Sequence, residues 1–552
     1  MLASLPVARS SGARAIFLLS AILTVVVLFW DRHLLTSGGL HGLAPIFFVL
    51  FTFFDYPAAS CTLLILILAA LVPARFSVRP ILRWVGKHPW SIAAASTVLL
   101  CVGTLTIYHN HPLCMDEYTQ FLQSQVFASG HLTGRVPAEL LDWLVPTGFQ
   151  NYFIAVARPT GQIASDYWPS FALVLTPFTW LGIPWACNAA ITALTLVVIH
   201  RLALRLFGDA EAAGLALLLT AASPVIFANG ISYYSMPAHL LANSLYALLL
   251  LEPTPRRTLL AGLVGSVALT LHNPVPHTLF AVPWLVWVAR RENGLKLFSW
   301  LCAGYLPLCL VLGIGWFWFD GHLAHEGGTL AVGNADRVSE FFKIPTATVL
   351  LARFIGLAKV WLWAVPGLLV LAAAGAWKWR SEPRCQLLVW SAVLTFLGYF
   401  LVPVDQGHGW GYRYFHSAWL ALPLLATAAL TPRAPAAAPA LLQTSDTRVF
   451  VVACALLTLV LGIGLRAKQI NEFIADDLSQ LPTYSSTSKR IVFVDASHAF
   501  YGADLVQNDP FLRGPEIRML SRGDTRNAEM MRRYFPGYHR AFADLHGEVW
   551  TP

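Results

Sequence analysis

Residues 91–107 read Ser91-Ile92-Ala93-Ala94-Ala95-Ser96-Thr97-Val98-Leu99-Leu100-Cys101-Val102-Gly103-Thr104-Leu105-Thr106-Ile107, and the chain then runs directly into Tyr108-His109-Asn110-His111-Pro112-Leu113-Cys114-Met115-Asp116-Glu117-Tyr118. An uncharged apolar run of this length matches the ~30 Å hydrocarbon layer of a bilayer, and it ends a few residues before two adjacent carboxylates. Similar runs recur at 15–30, 45–72, 169–182, 185–205, 210–228, 232–251, 258–272, 276–290, 297–318, 361–376, 386–403, 415–431 and 449–466. Across 552 residues, 57% are hydrophobic and 12% charged, against about 25% charged in soluble proteins. Mean hydropathy is +0.60. Disorder, collagen, coiled coil and a disulfide-stapled secreted domain are excluded. The expected fold is an all-α polytopic membrane bundle of about 13 transmembrane helices, with a small exported C-terminal α/β unit.

The formal charge of +8 is an orientation signal, and no nucleic-acid partner is expected. Lys and Arg cluster in short loops, such as Arg75, Arg79, Arg83 and Lys87, or Lys378 and Arg380, as cytoplasmic loops do. Arg9 and Arg14 put the N-terminus inside. The run that follows them ends in Trp30-Asp31-Arg32-His33 rather than in a small-residue cleavage site, so it reads as a retained span. Segments 108–167, 229–235, 272–277, 320–360 and 405–414 and the tail then fall outside a bacterial-type cytoplasmic membrane. Charge parity allows 169–205 one net crossing although it holds two apolar pieces. A broken or re-entrant helix at Gly182 and Pro184 resolves this, since irregular backbone is tolerated where it lines a protein cavity. None of the eight cysteines forms a Cys-x-x-Cys pair, so no exported disulfide framework is expected.

The organisation follows: 1–107 N-terminal spans, 108–167 a first exported loop, 168–318 core spans, 319–360 a second exported loop, 361–466 C-terminal spans and 467–552 a soluble unit. In that unit Arg490–Asp495 reads as a buried strand and Asn527–Arg533 as a short helix closed by Pro536-Gly537. Roughly 85 residues make a marginal core.

Charged groups near the hydrocarbon are costly and often functional. Asp116-Glu117 can deprotonate an acceptor or help hold a divalent cation. Equally, Asp116 can cap a helix over Tyr118–Ala128, with Glu117 in its first turn. Asp166, in Asp166-Tyr167-Trp168-Pro169, divides between a cap and a site residue. His272 and His277 flank a Pro-rich turn, as interfacial polar residues or as ligands of phosphate or metal. His322, His325 and Glu326 do not follow the His-Glu-x-x-His zinc spacing. The glycine-rich Asp405–Tyr414 segment sets Arg413 and Tyr414 before an apolar run; a guanidinium there can grip phosphate bidentately or simply snorkel. Arg135 is a further phosphate candidate. Asp55 is the one acid inside a long apolar stretch.

In their order, these features resemble the GT-C superfamily of membrane glycosyltransferases, which includes protein O-mannosyltransferases and the aminoarabinose transferase type. The matching elements are Asp116-Glu117, Tyr167-Trp168-Pro169-Ser170, Leu204–Gly208, Ala222-Ser223-Pro224, Gly411–Tyr414 and Leu422–Leu425, over about residues 90–430. The resemblance implies a polyprenyl-phosphate-linked sugar donor, a glycan, lipid or protein acceptor, and transfer outside the cytoplasmic membrane. It implies Asp116 as general base or as the group that orients the acceptor, Glu117 as its support or a metal's, and Arg413 as the group that holds the lipid phosphate. Many relatives carry an acid after the Ser-Pro segment; Ile231–His239 has none, and Trp168 stands where relatives often have His. The cofactor is therefore left unknown, with a divalent metal neither assigned nor required. Two other classes fit the composition. A transporter or lipid flippase would place working charges such as Asp55 at mid-membrane, and a non-catalytic assembly protein would share the fold without the chemistry.

Overall fold

The computed structural model describes residues 10–38, 46–326, 344–402, 407–432, 442–482, 484, 489–498 and 500–552. Asp405 and the side chains of His325 and Glu326 lie outside the described residues. Among the described residues seven helices are individually long and apolar enough to cross a bilayer, fewer than the thirteen crossings counted from hydropathy: Ser11–Thr36, Ile46–Leu71, Pro89–Thr106, Pro184–Phe207, Gly294–Leu323, Pro383–Leu401 and Ser445–Leu478. A bent pair adds an eighth, and five shorter apolar helices of 10–17 residues accompany them. Leu99 and Val311, 68% and 67% exposed, show the outward apolar surface that lipid covers in a membrane protein. Where helices meet, small residues let the backbones close up. A Cβ added to Gly262 would stand 2.2 Å from Leu301 O and 2.8 Å from Gly304 Cα.

Two breaks shape the bundle. Ala210–Ala221 and Pro224–Gly230 meet at 62°. Pro224 offers no N–H to continue the first helix, and Ser223 Oγ turns back to Leu219 O (2.8 Å). The chain also breaks between Ser170–Trp180 and Cys187–Phe207, where Gly182 adopts φ +75° before Pro184.

The segment 319–360 is not a loop throughout. Trp316–Glu326 and Ala347–Leu362 are helical. Arg353 and Lys359 make the second piece look polar in sequence, yet both are buried. Arg353 donates to Tyr399 O (2.8 Å) and Val402 O (2.9 Å). Lys359 Nζ pairs with Asp55 Oδ2 at 2.6 Å, with 0% and 1% of the side chains exposed. Arg466 Nη2 lies 3.9 Å from Asp55 Oδ1 and stacks on Trp363. Asp55 is therefore a charge that ties three apolar helices together.

Above this end of the bundle, 115–165 and 490–551 form one cap. The first contributes the helix Met115–Ala128 and a three-stranded antiparallel sheet ordered Gly134–Arg135, Gln162–Ser165, Ile154–Ala157. The second contributes a four-stranded sheet ordered Glu516–Leu520, Arg490–Val494, Gly547–Thr551, His539–Asp544, in which the first pair is parallel and the others antiparallel. The helix Asp524–Tyr534 accompanies it. Neither segment keeps its core to itself. Met115, Tyr118, Leu122, Leu141 and Ile154 pack in one cluster with Ile491, Phe493, Met519 and Met531. A tail too short for a robust core thus borrows half of one from the first loop.

Two outcomes are expected. Phe493→Ala, at a fully buried position, should cost about 3–5 kcal/mol and open the distant 129–165 segment to limited proteolysis. Asp55→Asn strands Lys359 in a low-dielectric interior and should destabilise the bundle by about 3–5 kcal/mol, read as a lower unfolding temperature in detergent.

Candidate active site

The helix Met115–Ala128 is not capped by Asp116. Its cap position is Cys114, with no side-chain cap bond, and Asp116 and Glu117 lie in the first turn. Asp504 supplies the capping carboxylate from the C-terminal unit, accepting from Met115 N–H at 2.7 Å. The acidic pair is thereby free for other partners, and its two members face opposite ways.

Glu117 turns inward and has no exposed surface. It accepts from the Tyr108 hydroxyl (2.7 Å), Leu113 N–H (2.6 Å) and Tyr233 N–H (3.3 Å). Trp410 Nε1 donates to the same Tyr108 oxygen at 2.8 Å. Burial pushes the Glu117 carboxyl up to about 8, with its three donors offsetting part of that rise. This is a structural hub.

Asp116 turns the other way and keeps 20% of its side chain exposed. Arg413 Nη1 lies 2.6 Å from Oδ2, and the Tyr167 hydroxyl donates to Oδ1. Burial pushes this carboxyl up, but Arg413, His272 and the Tyr167 hydrogen bond outweigh it and hold it below the ordinary aspartate value. Asp116 is ionised at neutral pH. Neighbouring residues one apart in sequence thus hold opposite protonation states, the pattern that separates proton acceptor from structural acid.

The other side chains arrive by local necessity. Gly409 and Gly411, at φ +145° and +84°, fold the chain into a hairpin about Trp410, pairing His408–Gly409 with Gly411–Tyr412. Arg413 N–H closes onto Gly407 O (2.8 Å). The guanidinium then leaves the hairpin, passes over the Tyr234 ring at 4.6 Å and reaches Asp116. Its Nε has no hydrogen-bond partner among the described residues. Trp168 N–H and Ser170 N–H bond to His272 O and Thr270 O, which sets the His272 ring 4.0 Å from Tyr167. Burial pushes the His272 imidazole down to about 4, so it is neutral, and its Nδ1 has no partner among the described residues.

Of the sequence candidates, Asp116, Arg413 and His272 come together, and Glu117 anchors them from behind. Tyr414 stacks on Tyr399 (4.2 Å), with Arg353 over its other side. Asp166 is half-buried beside Tyr167, its N–H on Phe153 O. His277 sits elsewhere, bridging Asn243 Oδ1 (2.7 Å) and the Tyr305 hydroxyl (2.6 Å). Arg135 is exposed, and its backbone N–H, not its guanidinium, is engaged, with Pro510 O. Tyr167, Tyr234 and Asp504 are additions that sequence reading passed over. Tyr167 resembles an interfacial belt residue there. Tyr234 lies in the segment notable for lacking an acid, and Asp504 is about 390 residues from the helix it caps. Among the described residues no three His, Cys, Asp or Glu side chains group as a metal site would.

The architecture is an apolar helix bundle with an acidic pair opening its first long loop, beneath a small α/β cap. Two solved structures share it. ArnT from Cupriavidus metallidurans bound to undecaprenyl phosphate matches with TM-score 0.51 and 13% identity, covering 83% of this chain and 97% of ArnT. The apo state of the same protein gives 0.50 and 14%, with the same coverage. No protein-family model matches the chain, and no curated protein matches it in sequence. At this identity the likeness is one of fold.

The opposed carboxyl shifts carry a pH signature. Glu117 and Asp504, the latter pushed by burial up to about 7, hold protons in the folded state that the unfolded chain releases near pH ~4. Their contribution is complete below that value and is lost as pH rises through about 7 to 8. Asp116 has the opposite sign, contributing above the ordinary aspartate value and losing that contribution in acid. His272, neutral down to about 4 in the folded state, has the opposite sign below the ordinary histidine value near ~6.5, so the unfolding temperature of the cap should fall from about pH 6.5 to about pH 8.5, and Glu117→Gln should flatten the slope. An unchanged slope in that variant would remove Glu117 from the account.

Proposed function

We propose that this protein transfers a sugar from a polyprenyl-phosphate donor to an acceptor at the outer face of a bacterial-type cytoplasmic membrane. The observation that carries the reading is the Asp116–Arg413 pair, an ionised carboxylate and a guanidinium 2.6 Å apart at the cap end of an apolar bundle. The reading is supported by the shared fold with ArnT, whose solved structure holds undecaprenyl phosphate. The basic loops favour a cytoplasmic N-terminus, which puts the cap, and Asp116 with it, outside.

Each residue has a part. Asp116 takes the proton of an acceptor hydroxyl as its oxygen forms the bond to the anomeric carbon. The bond from that carbon to the phosphate oxygen breaks, and the prenyl phosphate leaves with the electron pair. Arg413 neutralises the charge growing there, using the Nε that Asp116 does not occupy. Tyr167 orients Asp116. The neutral His272, with its unpartnered Nδ1, is suited to a sugar hydroxyl. Glu117 keeps the helix seated and does not touch the reacting atoms.

Asp116→Asn should lower turnover by about 10²–10⁴-fold with the protein still folded and inserted, measured as sugar transfer from a radiolabelled prenyl-phosphate donor. Arg413→Ala should weaken prenyl-phosphate binding by roughly 10–100-fold, the loss of a hydrogen bond to a charged group. Full transfer by Asp116→Asn would sink the reading. The transporter alternative requires the reverse pattern, with substrate movement stopped by Asp55→Asn and indifferent to Asp116→Asn.

A further inference from the structure

A cavity of about 490 Å³ opens where the C-terminal unit meets the ends of the helices Ile46–Leu71 and Ser445–Leu478. Arg413 and Asp116 do not line it. Its apolar wall includes Phe53, Phe54, Phe473 and Phe500. Phe53 and Phe500, 62% and 52% exposed, leave that wall open toward the apolar flank of the bundle. Its polar wall carries Gln469, Gln480, Glu472, Asp476 and Asp477, and among the described residues no lysine or arginine lines the cavity. On a chain of net charge +8, this is a concentrated negative site.

Asp477 is the telling residue. It is 6% exposed, it lines the cavity, and its Oδ2 has no hydrogen-bond donor among the described residues. A buried carboxylate oxygen without a donor is costly. Asp476 precedes it and deepens the negative field, and Asp504, which burial pushes up to about 7, lies within electrostatic reach of it. Glu472 meets Lys468 at 3.7 Å, with both side chains more than half exposed, a pairing that water screens. His498 completes the polar side. Aromatic faces stand opposite: Phe473 packs edge-on against both Phe54 (6.0 Å) and Tyr501 (6.2 Å).

Buried carboxylate and aromatic faces together suit one kind of group. An ammonium supplies up to three N–H donors, cancels the local charge and is attracted to aromatic faces. The apolar wall and the position at the ends of two membrane helices suit an acyl chain attached to it. We propose that this cavity is a lipid-headgroup site that takes the ammonium group of a membrane lipid. Arg413 and Asp116 do not line the site, although Tyr501 of its wall lies within electrostatic reach of both, and the site touches the catalytic helix indirectly, since Asp504 caps that helix at Met115.

The test uses the full-length protein in nanodiscs of equimolar phosphatidylethanolamine, phosphatidylcholine and phosphatidylglycerol, with retained lipid identified by native mass spectrometry. The wild type should retain one ammonium-bearing lipid at least about tenfold over phosphatidylglycerol, a ratio set by a charge-assisted contact. Selective retention of phosphatidylethanolamine identifies N–H donation to Asp477, whereas equal retention of the two ammonium lipids identifies the aromatic faces; both support the site. Asp477→Asn, and Asp476→Asn with it, should abolish the preference. Undecaprenyl phosphate binding, measured on the same preparations, should be unchanged by these substitutions and weakened in Arg413→Ala, so that failure of either site shows separately. Equal retention of phosphatidylglycerol by the wild type, or an undiminished preference in the double variant, overturns the proposal.

Discussion

Everything at the cap end of the bundle depends on Glu117 being buried. A carboxyl with no exposed surface must be satisfied from within, and its donors come from three places: the end of a span at Tyr108, the turn at Leu113 and the turn at Tyr233 beyond the bent helix pair. Trp410 joins through Tyr108 and brings the hairpin that carries Arg413. With that hub set, the adjacent Asp116 is directed outward into the guanidinium. The two acids differ in chemistry because one residue of helix rotation, about 100°, separates a sealed environment from one that keeps 20% of its side chain exposed.

The charges of this membrane protein fall into two kinds. Asp55 pairs with Lys359 and lies beside Arg466 inside the bundle, each at most 2% exposed, and the three bind apolar helices that have no hydrophobic reason to prefer each other over lipid. Asp116 and Arg413 are also paired, but they sit at the rim, partly open, with Arg413 Nε lacking a partner among the described residues. Burial alone does not separate these cases, since both are paired and largely enclosed. An unspent donor beside a partly exposed carboxylate does.

The cap shows why a chain segment need not be a domain. The sheet of the C-terminal unit buries Phe493 and Met519 against Met115, Tyr118 and Leu122 of the first loop. Asp504 caps the loop's helix, and Tyr118 exchanges hydrogen bonds with the Asn508 backbone, both at 2.7 Å. The polypeptide closes this contact across the whole transmembrane region, so the site's geometry is held from both ends of the chain.

Much of this was legible in the residue order. Apolar runs of bilayer length, the break at Gly182–Pro184, the strand at Arg490–Val494 and the prominence of Asp116 and Arg413 follow from hydropathy, turn chemistry and the rarity of charge near hydrocarbon, all of which are local properties. Local reading misjudged Arg353 and Lys359, because a buried, paired cation has the same letter as a solvated one. It also set His277 and Arg135 beside the site, since sequence carries no distance. Which carboxyl of the Asp116-Glu117 pair is sealed and which is presented, that Tyr167 and Tyr234 line the pair, and that the tail shares its core with the first loop were decided only by tertiary structure. Protonation state and reach depend on what surrounds a group in space, and at this site the surroundings come from segments hundreds of residues apart.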